Sequence, residues 1–131
     1  MIRKLAIVFG VVFVAIGLLG FVPGITTADG KLLGLFQVST LHNIIHLLSG
    51  IAALIAASNE AYSRLYFRIF GAVYGLVAII GWLQGTTVLG LIDVNVADNV
   101  LHTVLAIVIL AIGFALPDVE APRAVREAGT E

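Results

Sequence analysis

The chain has 131 residues, of which 60% are hydrophobic and 11% charged, with a net charge of −1 and no cysteine. At this length a water-soluble domain has too little interior to hide so much apolar surface, and the mean hydropathy of +1.12 points to a bilayer. The missing cysteines exclude disulfides and thiolate metal sites. The near-neutral balance, without a basic block, excludes nucleic acid as a natural partner.

Four apolar runs follow one another, at about Leu5–Val22, Thr40–Ala57, Leu65–Leu83 and Val96–Leu116. Each approaches the ~20 residues that a helix needs to cross ~30 Å of hydrocarbon. None shows the period-two alternation of a barrel strand. The expectation is an all-α integral membrane four-helix bundle over residues 1–117, followed by a polar cytoplasmic tail over 118–131. Arg3, Lys4, Arg64, Arg68, Arg123 and Arg126 flank one side of these runs, and Lys31 stands alone in the other loops. The positive-inside rule then places both termini in the cytoplasm.

The first run follows Arg3 and Lys4 as a secretory signal would, yet it has a counterpart later in the chain, which argues that it is retained. "FGVVFVAIGLLGFVPG" (Phe9–Gly24) matches "FGAVYGLVAIIGWLQG" (Phe70–Gly85) at an offset of 61, and "LGLFQVSTLHNIIH" (Leu33–His46) matches "LGLIDVNVADNVLH" (Leu89–His102) at an offset of 56. Each unit reads as helix, outer loop, helix. The fold is thus expected to be two parallel helix–loop–helix repeats, about 5–57 and 65–116, related by a pseudo-twofold axis along the membrane normal.

Ser39 and Asn95 occupy equivalent positions as N-caps, so the second and fourth helices begin near Thr40 and Val96. Asn95 and Asp98 have capping-box spacing. His46 and His102 lie seven residues past these caps, roughly 10 Å down each helix, with His42 and Asp98 one turn shallower. On a helical wheel, His42, Asn43, His46, Ser49, Gly50, Ala53, Ala56 and Ala57 share an arc of about 140°, opposite Ile44, Leu47, Leu48, Ile51, Leu54 and Ile55. The small and polar side is expected to face protein and the aliphatic side lipid. Trp82, Tyr62, Tyr66 and Tyr74 read mostly as interfacial anchors, with Trp82 at the outer boundary and Tyr62 and Tyr66 at the inner one.

"LLGLFQVSTLHNIIHLLSG" and the later "ADNVLH" resemble a family of small bacterial four-helix membrane proteins known as domain of unknown function 4383. The resemblance spans nearly the whole chain before Pro117. It implies four spans and a bacterial cytoplasmic (inner) membrane, and it carries no activity.

The repeated Asn-x-x-His words make His42, Asn43, His46, Asp98, Asn99 and His102 an expected intramembrane polar cluster. One reading is structural: neutral Asn and His groups bond across helices and hold the halves together. A second makes His46 and His102 axial ligands of haem b. A third holds a metal with His42, His46, Asp98 and His102. A fourth has the cluster titrate in response to external pH, although no ionisable residue continues a proton path through the inner half of any span. Catalysis finds no nucleophile–base set and no phosphate loop. The expectation is a non-catalytic accessory or scaffold subunit in the lipid bilayer, packing on a larger membrane complex or its own copies, with haem or metal binding as the alternative.

Overall fold

The computed structural model describes residues 1–117; the expected polar tail lies outside the described residues. Four helices carry the architecture: α1 (Ile2–Leu19), α2 (Thr40–Ala56), α3 (Glu60–Gln84) and α4 (Val96–Ala115). α1, α3 and α4 are long and apolar enough to cross a membrane. With 17 residues, α2 is at the short end of the spanning range. The assembly is a membrane-type helical bundle, as the apolar runs imply.

The helix starts follow from local chemistry. Ser39 Oγ accepts from His42 N, and Asn59 Oδ1 accepts from Tyr62 N. Asn95 and Asp98 form a reciprocal capping box. Each bond satisfies a backbone N–H that a helix leaves without an internal partner. At the opposite ends no helix has a basic residue in its last turn, and arginines from other helices serve instead. Arg3 Nε donates to Ala57 O at 2.8 Å, Arg68 Nε to Gly113 O at 2.8 Å, and Arg64 Nη1 to Leu116 O at 2.7 Å. Cationic donors there meet the negative end of the helix dipole.

Small residues set the pairing of α1 with α2 and of α3 with α4. A Cβ added at Gly50 would lie 2.7 Å from Gly10 O and from Val14 N, so the α1 and α2 backbones nearly touch. Leu47 and Leu54 cover Gly17 and Gly10. Leu47 and Leu54, both expected on the lipid side, are therefore partly exposed and also seated on α1, because a glycine leaves a hollow that a neighbouring leucine fills. Gly71 faces Leu110 in the same manner on the α3–α4 side.

Aromatic rings fill the seam between the two helix pairs. Phe9 meets Phe67 edge-on at 5.4 Å, Phe13 lies 5.4 Å from Tyr74, and Tyr66 stacks on Phe70 at 4.3 Å. Tyr66 and Tyr74 are both 4% exposed. This corrects their reading as interfacial anchors. They fall on the face shared by Ser63, Phe67, Gly71, Ala78 and Gly81, which the helical period turns inward. Tyr62 is exposed at the other side of α3, and Trp82, half-exposed, donates Nε1 to Thr103 Oγ1 at 3.1 Å.

The connections at the end of the bundle opposite Met1 and Pro117 are ordered hairpins. β1 (Lys31–Leu32) pairs antiparallel with β2 (Phe36–Gln37), and β3 (Thr87–Val88) with β4 (Ile92–Asp93). Both turn through a Leu-Gly step in the left-handed region, Leu33 at φ 55° with Gly34 at 70°, and Leu89 at 56° with Gly90 at 68°. A leucine there is sterically costly, about 1–2 kcal/mol.

Candidate functional site

The hairpins fold over the opposite half. Asp98 Oδ2 accepts from its own cap residue, Asn95 N, at 2.8 Å and from Gln37 N of β2 at 3.0 Å. Asn95 Nδ2 donates to Leu35 O at 2.8 Å. In the other direction, His42 Nδ1 lies 3.0 Å from Asp93 O of β4. A carbonyl only accepts, so His42 carries its proton on Nδ1 and directs a bare Nε2 lone pair into the bundle. That Nε2 is buried and has no partner among the described residues.

Beneath the hairpins three imidazoles gather. The ring centroids of His42 and His46 are 4.6 Å apart, those of His42 and His102 5.7 Å, and those of His46 and His102 6.3 Å. One ring nitrogen from each can be chosen so that all three lie within 4.8 Å of one another. Nδ1 of His46 and of His102, like Nε2 of His42, are buried without a partner among the described residues. Leaving such groups unpaired costs about 1–3 kcal/mol each. Phe13 lies 5.8 Å from the His46 ring and Tyr74 5.7 Å from that of His102, so the triad has an apolar floor.

The six polar residues singled out in the sequence are all buried but form separate groups. His42, His46 and His102 meet. Asp98 is engaged by two backbone N–H groups rather than by an imidazole, because its position one residue pair inside the cap makes the capping box its nearest partner. Asn43 and Asn99 point instead at Gly20 of α1 and Gly81 of α3, where a Cβ would collide with them, and Oδ1 of each has no partner among the described residues. His42, although one turn shallower, is 2% exposed against 8% for His46, because β4 covers it.

A crevice of about 390 Å³ leads from this triad to the outside between α2 and α3. Its inner end also holds Ser49 and Tyr74, two contributors that the residue pattern did not single out as site residues. Tyr74 Oη donates to Ser49 Oγ at 3.2 Å, and Tyr66 Oη donates to Ser49 O at 3.1 Å. The signal for Tyr74 was its spacing of three and four from Gly71 and Ala78 on one face of α3.

Helical membrane bundle is thus the class that the fold defines, with a buried triad of imidazoles as its one concentrated piece of chemistry among the described residues. The chain belongs to the family described as Domain of unknown function (DUF4383), whose model matches residues 3–115. No curated protein and no solved structure matches it.

Proposed function

We propose that this chain is a small non-catalytic membrane protein that binds one transition metal ion, of the zinc class, through His42, His46 and His102. The observation that carries the reading is that one ring nitrogen from each of three buried histidines lies within 4.8 Å of the others. A tetrahedral ion with bonds of about 2.0–2.1 Å asks for nitrogens about 3.3 Å apart, so the three rings, whose nitrogens now lie within 4.8 Å, close on the ion as it binds. Neutral imidazole suits zinc and its neighbours. The Asp93 carbonyl on His42 Nδ1 is the kind of outer partner that fixes the tautomer of a metal-binding histidine. Three protein ligands leave a fourth position open.

Metal is favoured over haem b on His46 and His102. The three centroid distances place the His42 ring beside the midpoint between the other two, in the space a macrocycle held by both would fill. The setting is a bacterial cytoplasmic membrane with both termini inside, following the arginine distribution. Exposed aliphatic faces such as Leu48, Ile51 and Ile55 on α2 fit lipid or the helices of a larger complex.

The test is titration of the purified, metal-stripped full chain with Co²⁺ in detergent. The expected result is one equivalent bound with visible ligand-field bands of a tetrahedral site, displaced by Zn²⁺ and lost in His102→Leu. Wild-type protein that takes up no stoichiometric cobalt overturns the reading.

A further inference from the structure

The bundle has two lateral crevices whose walls correspond in sequence. The first, between α2 and α3, includes Phe70, Val73, Tyr74 and Val77. The second, between α1 and α4, has a volume of about 220 Å³ and includes Phe9, Val12, Phe13 and Ile16, each 61 positions earlier. On the facing helices, Ile45 and Ser49 of the first stand 56 positions before Leu101 and Leu105 of the second. The pair differs at its inner end. Where the second crevice has Phe13 and Leu105, the first has Tyr74 and Ser49, and it alone reaches the imidazoles.

We propose that the α2–α3 crevice binds a neutral, hydroxyl-bearing, single-chain amphiphile that enters sideways from the bilayer. Leu48 and Val73 at its mouth lie on exposed, lipid-type helix faces, and Ala52 and Val77 continue an apolar wall inward. An alkyl chain matches that wall, and the volume falls within the usual range for small-molecule sites while the second crevice falls below it. The inner end selects the head group. The bare Nε2 of His42 calls for a hydrogen-bond donor, and Ser49 and Tyr74 offer hydroxyls. No lysine or arginine lines the crevice, so an anionic head would be buried without a counter-charge. A hydroxyl head needs none. It meets the open side of the triad, and it builds on the metal reading only insofar as that side includes a free coordination position.

The test uses the full chain in phosphatidylcholine nanodiscs and two photoprobes, a long-chain primary alcohol bearing a diazirine and the matched diazirine alkane without the hydroxyl. Labelled residues are mapped by mass spectrometry. The alcohol is expected to label the α2–α3 crevice about fivefold over the α1–α4 crevice, the equivalent of one hydrogen bond, and the alkane to show no such preference. Val77→Trp and Ala52→Phe, each checked for an unchanged melting profile, are expected to abolish the preference. Equal labelling of the two crevices by the alcohol, or the same preference from the alkane, overturns the proposal on wild-type protein alone. Cobalt uptake is measured on the same preparations. Labelling preference without cobalt uptake leaves the amphiphile site standing and defeats the metal reading; uptake without preference does the reverse.

Discussion

His42 Nδ1 and Asp93 O, 51 residues apart, are joined at 3.0 Å across the two halves of the bundle. This bond ties the second hairpin to the start of α2 and decides which nitrogen of His42 is free. Its counterpart runs the other way, with Gln37 N donating to Asp98 Oδ2. Gln37 and Asp93 stand at equivalent positions in the two sequence units, as do His42 and Asp98. The same two backbone sites are braced by a donor in one half and an acceptor in the other.

From this brace, His42→Leu is expected to destabilise the protein more than His46→Leu. The first leaves a carbonyl without its donor, at about 1–2 kcal/mol, whereas the His46 ring makes no hydrogen bond that leucine would break. Thermal melts in a common detergent measure the order. His42→Gln, which keeps an N–H donor, should recover part of the loss. A larger effect at His46 in metal-free protein would contradict the role given to the brace.

Gly50→Ala is expected to lower stability by about 1–3 kcal/mol, since its Cβ would meet backbone atoms of α1 that cannot rotate away. Gly75 is the internal comparison. Its nearest neighbour would be Ala106 Cβ at 3.9 Å, so Gly75→Ala should be neutral or gain up to about 1 kcal/mol in helix propensity. Denaturant or thermal unfolding of the two variants side by side checks the contrast.

Leu33 and Leu89 hold left-handed backbone with their side chains 71% and 64% exposed. Asparagine tolerates that conformation far better, so Leu33→Asn and Leu89→Asn should each raise stability by about 1 kcal/mol. No gain in either melt would mean that the leucines make contacts which outweigh the strain.

For topology, a cysteine at exposed Asp29 should react with an impermeant maleimide on intact cells, and one at exposed Ala61 only after the cells are permeabilised. Ser63 is unsuitable for this because it is fully buried, with Oγ bonded to Ala56 O and Asn59 O. Reaction of both sites on intact cells, or of neither before permeabilisation, would remove the expected arrangement.

The sequence made the helices legible because their signals are local. Run length, the caps at Ser39 and Asn95, and the small-residue arc of α2 each depend on residues within a turn or two, and each matches the structure to within a few residues. The burial of His42, Asn43, His46, Ser49, Gly50 and Ala53 follows that arc directly. What the pattern missed depends on partners far along the chain. Asp98 was grouped with the imidazoles because it shares their depth, but two backbone donors hold it elsewhere. Tyr66 and Tyr74 have the composition of interfacial residues, and only the aromatic seam and Ser49 show that they point inward. The hairpins were hidden in short apolar loops, where the repeated Leu-Gly step was their sole mark.

The placement of the triad also sets an order of events during synthesis. α1 packs chiefly on α2 and α3 on α4, whereas the histidines straddle the seam between those pairs. The first pair of helices leaves the translocation channel with His42 and His46 side by side, a two-nitrogen chelate at best. His102 joins them only when the last helix is in place and the second hairpin has closed on His42. On the proposed metal reading the ion is therefore acquired by a finished bundle, and a truncated or half-inserted chain lacks the third ligand.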